Sequence, residues 1–191
     1  MAVAQQTDVR GTVMSVLKIL AFLAATVAEA LPAHADSLPD PISPATIGQL
    51  QCYSPDTTHK TCIAIANYKS GATGTIEYVL SLVSSKPIVI METVSPVEIK
   101  AGKICGKLQE KDIDTRSFFV AGRVLDSKQA EPLRQHLKIV LKEFFGHEIC
   151  TAYEPEGKAL VAKATIDGVP MRAPEQRVIW VSPSEGYTVS P

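Results

Sequence analysis

In Thr75-Ile-Glu-Tyr-Val-Leu-Ser-Leu-Val83, Ile76, Tyr78, Leu80 and Leu82 recur at every second residue. β-Branched and aromatic side chains suit a pleated surface, and a period of two is the signature of a strand. Working outward, Ile63-Ala-Ile-Ala-Asn-Tyr68 is a short apolar run closed by Ser70-Gly-Ala-Thr-Gly74. Pro87-Ile-Val-Ile-Met-Glu-Thr-Val94 follows the polar Ser84-Ser-Lys86. Val97-Glu-Ile99 and Ile104-Cys-Gly-Lys-Leu108 flank Lys100-Ala-Gly-Lys103, which reads as a tight hairpin. Further strands are expected in Ser117–Leu125, Leu160–Ile166 and Arg177–Val181. The natural arrangement of so many consecutive strands is an antiparallel sheet.

One segment has a helical period. Leu133, Leu137, Val140, Leu141 and Phe144 make a single apolar stripe, predicting a helix over about 130–145. Pro132 fits its first turn and Gly146 its stop. Arg134, Lys138 and Lys142 line the opposite side as a solvated basic row. Strands, then one helix, then strands define an α+β class: a twisted antiparallel sheet with one main amphipathic helix packed on a face.

Residues 14–36 carry an address. Lys18 precedes a short run of mostly apolar residues, Ile19–Ala28, and Pro32-Ala-His-Ala35 supplies the small-x-small pattern cut by a signal peptidase. A helix of that length reaches ~15 Å, half the thickness of a bilayer core, so it reads as a cleaved leader. Residues 1–35 are thus expected to be a signal peptide, with cleavage between Ala35 and Asp36 and with Met14 as an alternative start. Pro39, Pro41 and Pro44 mark 36–48 as an irregular N-terminal arm. Residues 49–191 are expected to form one globular domain.

Export sets the chemistry of the cysteines. All four, Cys52, Cys62, Cys105 and Cys150, lie beyond the leader. An even number in an oxidising compartment reads as two disulfides, with three connectivities open. The turn-rich Tyr53–Thr61 segment can fold back to join Cys52 to Cys62, which leaves Cys105 for Cys150. The near-neutral charge, −1 for the chain, argues against nucleic acid as a partner. No membrane insertion is expected after cleavage.

No motif commits the chain to a reaction. His59-Lys-Thr-Cys62 and His147-Glu-Ile-Cys150 resemble metal-ligand pairs, but lack a Cys-x-x-Cys anchor, so no metal or cofactor is expected. A small exported hydrolase would have to assemble its site around His59, His136 or His147, without a Gly-x-Ser-x-Gly elbow to announce the nucleophile. The favoured reading is a non-catalytic binding module of the periplasm or exterior, acting on a protein or small ligand of the cell envelope. Arg177, Trp180 and Tyr187 in the C-terminal stretch are the side chains best suited to a contact surface, since aromatic and arginine residues dominate binding hot spots. The competing reading buries Trp180 within Val178-Ile-Trp-Val181.

Overall fold

The computed structural model describes residues 40–172 and 175–191. The expected leader, with its cut at Ala35 and Asp36, lies outside the described residues. The strands are β1 (Leu50–Tyr53), β2 (Thr61–Cys62), β3 (Ala64–Gly71), β4 (Gly74–Ser85), β5 (Ile88–Lys100), β6 (Lys103–Lys107), β7 (Ser117–Val120) and β8 (Arg123–Val124). The helix α1 (Ser127–Val140) follows, then β9 (Glu148–Glu156), β10 (Ala159–Ile166), β11 (Val169–Pro170), β12 (Gln176–Val181) and β13 (Thr188–Val189).

These elements overturn the expected α+β class. The chain is mostly antiparallel β and is built around a closed barrel of eight strands. β1, β3, β4, β5, β6, β9, β10 and β12 each pair antiparallel with the next, and β12 returns to β1. This is an up-and-down meander whose end strands meet. Closure rests on the register Leu50↔Val181 to Tyr53↔Val178, which joins segments far apart in sequence. An open sheet and a closed barrel share the same local alternation, so the strand pattern alone did not separate them.

Local chemistry sets the turns. The expected Lys100–Lys103 hairpin forms, with φ of +47° at Ala101 and +71° at Gly102. Asp167 and Gly168 repeat this geometry with +48° and +82°. Two positive φ values in a two-residue loop match the right-handed strand twist, and glycine bears the second at no steric cost.

Side chains divide into three cores. Inside the barrel, Ile42, Ala66, Tyr68, Val97 and Ile104 pack together. Ile42 comes from the proline-rich arm, in which Ser43–Ile47 forms a 3₁₀ turn with a proline in its first turn. Between β6 and β9 the chain makes an excursion that builds the second core, where α1 meets β7 and the end of the β4–β5 hairpin through Val89, Ile113, Phe118, Ala130 and Leu137. The third lies outside the barrel, where Cys52, Cys62 and Val181 sit beneath Tyr187. There the last residues clasp the wall through parallel pairing of β13 with β2.

The helix starts earlier than its apolar stripe suggested. Asp126 caps it in a reciprocal box with Gln129, so Pro132 falls inside the helix and not in its first turn. Ala130, Leu133, Leu137 and Leu141 face the second core. Val140 turns outward at 49% exposure, because the packed face lies slightly around the cylinder from the predicted stripe.

Both disulfides join the expected partners, Cys52 to Cys62 and Cys105 to Cys150. No helix among the described residues is long and apolar enough to cross a membrane.

Candidate functional site

β-Strand alternation turns Gln51, Tyr53, Tyr68, Glu77 and Tyr153 toward one another inside the barrel. Tyr53 Oη lies 2.9 Å from Gln51 Oε1 and 2.5 Å from Tyr153 Oη. Tyr68 Oη lies 2.7 Å from Gln51 Oε1 and 2.8 Å from Glu77 Oε1. Each hydroxyl has one proton, so Tyr68 cannot donate to both acceptors at once. A protonated Glu77 resolves the count. It donates to Tyr68, Tyr68 and Tyr53 donate to Gln51, and Tyr153 donates to Tyr53.

Electrostatics favour the same arrangement. Burial raises the Glu77 carboxyl above its ordinary value, against the lowering effect of the Tyr68 hydroxyl. Burial also raises Tyr53 and Tyr68, and pushes Tyr153 up to about 12. The phenols therefore stay neutral donors at neutral pH. Glu77 favours its protonated form in the fold, so its own contribution to stability is fully present at low pH and is lost as pH rises through its raised value. Glu77→Gln keeps a donor toward Tyr68 without a titration. This variant should unfold at a higher temperature than wild type at pH 7 and together with it at pH 4, in thermal melts followed by circular dichroism. A wild-type advantage at pH 7 would exclude a buried, proton-holding Glu77.

A cavity of about 260 Å³ adjoins this network, lined by Tyr53, Glu77 and Tyr153, the hydroxyl-bearing Thr93, Ser95 and Thr151, and Arg116. Arg116 is only 8% exposed. Its Nη1 lies 3.5 Å from the soft acceptor Met91 Sδ, its Nε has no partner, and it makes no ion pair among the described residues. Burial lowers its pKa, with Asp112 opposing at longer range. Gln51, fully buried, likewise leaves Nε2 without a partner. Buried donors without acceptors are costly, and one of them, Arg116 Nε, belongs to the wall of this cavity.

The residues singled out from the sequence are dispersed. Trp180 points into the barrel, its ring 6.4 Å from that of Tyr68, and borders a second, mainly apolar cavity of about 480 Å³ with Pro41, Pro44 and Leu160. Arg177 is exposed on β12, and Tyr187 covers the Cys52–Cys62 core outside the barrel. The structure does not bring these three together.

Neither does it gather the histidines. His59 Nδ1 lies 2.7 Å from Asp56 and His147 Nδ1 2.6 Å from Asp167, each on an exposed turn away from the cavities described above. His136 is exposed on α1. Cys105, Glu148 and Cys150 stand close enough to hold an ion, but both sulfurs belong to the disulfide and offer no thiolate.

Sequence reasoning missed Glu77 and Arg116. Glu77 alternates with the apolar stripe of Ile76 and Tyr78 and there reads as a solvent-facing residue, while Arg116 lies in a connection without any period. The only available signal was a lone carboxylate within a strand rich in apolar residues. The architecture is thus a meander barrel with a cavity of mixed lining, apolar at Val97, Ile104, Leu108 and Ile149 and polar at the hydroxyl-bearing residues, Glu77 and Arg116. No protein-family model, curated protein or solved structure matches the chain.

Proposed function

We propose that the protein is an exported, non-catalytic binding protein that takes a small ligand with an anionic group into the barrel. Arg116 is the anchor, and the Glu77–tyrosine network orients the polar remainder of the ligand. The observation that carries this reading is a buried guanidinium, without a carboxylate partner, on the wall of a partly polar cavity. An uncompensated buried charge costs several kcal/mol, and an incoming carboxylate or phosphate would supply the missing countercharge. Eight-stranded barrels have room for side chains or one small ligand. The volume falls just below the common ~300–1,000 Å³ range of ligand pockets, which limits the ligand to a small one. The leader-like segment 14–36 and two disulfides support a periplasmic or extracellular setting.

Calorimetric titration with a panel of small carboxylates, phosphate monoesters and their uncharged amide or alcohol analogues tests this reading. Anionic members should bind and their neutral analogues should not. Arg116→Gln should weaken binding by roughly ten- to a hundredfold, the worth of a charge-assisted hydrogen bond. Arg123→Gln, at an exposed position on β8, should leave it unchanged. Equal binding by wild type and Arg116→Gln, or binding of neutral analogues alone, would exclude Arg116 as anchor.

A further inference from the structure

Strand β4 has its apolar stripe on the outside. Glu77 and Val79 face the barrel interior, so Ile76, Tyr78 and Leu80 line the outer wall beside Val94 and Pro96 of β5. Val94 is 53% exposed and Leu80 39%. Elsewhere the outer surface is handled differently. Across β9 and β10 it carries Lys163 paired with Glu154 at 2.6 Å, and the C-terminal clasp covers Cys52 and Val181. The β3–β4–β5 wall keeps an apolar centre, of the kind that marks an interaction surface.

Its charges are self-complementary. Lys69 stands opposite Ile76 on one side of β4, and Glu92 opposite Leu80 on the other. The pair therefore flanks β4 diagonally, offset by four residues or ~13 Å along the strand, with Tyr78 at the midpoint. Neither makes an ion pair among the described residues. Lys69 Nζ lies 4.9 Å from the centre of the Tyr78 ring, which holds the ammonium on the wall.

We infer that this wall docks a second copy of the chain, face to face. A two-fold axis in the plane of contact, through Tyr78 and perpendicular to the Lys69–Glu92 diagonal, sets each lysine over the partner's glutamate. That operation closes after two copies, as an isologous interface must. It also crosses the two sets of strands steeply, an established mode of sheet packing. Tyr78, Leu80 and Val94 then lie at the centre of the contact, with the two ion pairs at its rim.

Sedimentation equilibrium of the purified, oxidised protein tests the docking through charge reversal. Wild type should form a dimer. Lys69→Glu or Glu92→Lys alone should weaken it at least tenfold, because like charges then face each other. The double reversal should restore the wild-type association, a rescue that general destabilisation cannot produce. Monomeric wild type up to about 100 μM, where contacts weaker than ~5.5 kcal/mol lie, would overturn the inference. So would a double variant no tighter than the single ones. Near-ultraviolet circular dichroism of each variant confirms that the fold is retained.

Discussion

Phe118→Ala should destabilise the protein by about 3–5 kcal/mol, the usual cost of deleting a buried aromatic ring. Phe118 is fully buried on β7, at the centre of the core that joins α1 to the barrel. It shares that core with Ala130 and Leu137 of the helix and with Val89 and Ile113. The Arg134 guanidinium lies 6.0 Å from the ring centre, so truncation also removes a cation–π contact. Natural domains have ~5–15 kcal/mol of stability in total, and for a chain of this size the loss amounts to roughly 6–20 °C in Tm. Val140→Ala on the same helix is the control. Its side chain is half exposed, and its loss should stay within about 0.5 kcal/mol. Urea unfolding of the two variants measures both, and equal losses would mean that α1 is not packed on β7.

The helix and its core illustrate what a single sequence reveals. Leu133, Leu137 and Leu141 announce a packed face because a helix repeats within its own residues. The Lys100–Lys103 hairpin and the cysteine pairing are similarly legible, one from local turn chemistry and the other from short-range folding back around Thr57–Lys60. Barrel closure has no such signature. β1 contributes only Leu50–Tyr53, and its partner β12 follows more than a hundred residues later. The sense of the alternation was also hidden. On β4 the apolar residues Ile76, Tyr78 and Leu80 face outward, while Glu77 faces a polar interior shared with Gln51 and three tyrosines. A period of two fixes which side chains share a face and says nothing about which face is inside. The candidate site depends on that choice. Its members come from β1, β3, β4, β5, β9 and the connection before β7, so it exists only after closure, and Arg177, Trp180 and Tyr187 drew attention by composition alone.

The two disulfides should act on different states of the protein. Cys105→Ala/Cys150→Ala should lower stability by about 4 kcal/mol on the loop-entropy model, since that bond closes a 45-residue loop. The bond links residues that already face each other in the β6–β9 ladder, and the strand pairing holds them without it. The variant should therefore keep its native spectrum and barrel cavity while its unfolding midpoint falls, because the bond acts mainly by restricting the unfolded chain. Cys52→Ala/Cys62→Ala opens a loop of separation 10, worth about 2.7 kcal/mol on the same model. Here a native-state loss is added, since both sulfurs are buried at the centre of the small outer core beneath Tyr187. Cys62 also anchors the C-terminal clasp through its pairing with Val189 and its carbonyl bond to Ser190. The second variant should consequently loosen residues 182–191 in the folded protein, and limited proteolysis should trim them well below the unfolding temperature. The first should resist the same protease until it unfolds. Trimming of the tail in both variants, or in neither, would show that the clasp does not depend on the Cys52–Cys62 bond.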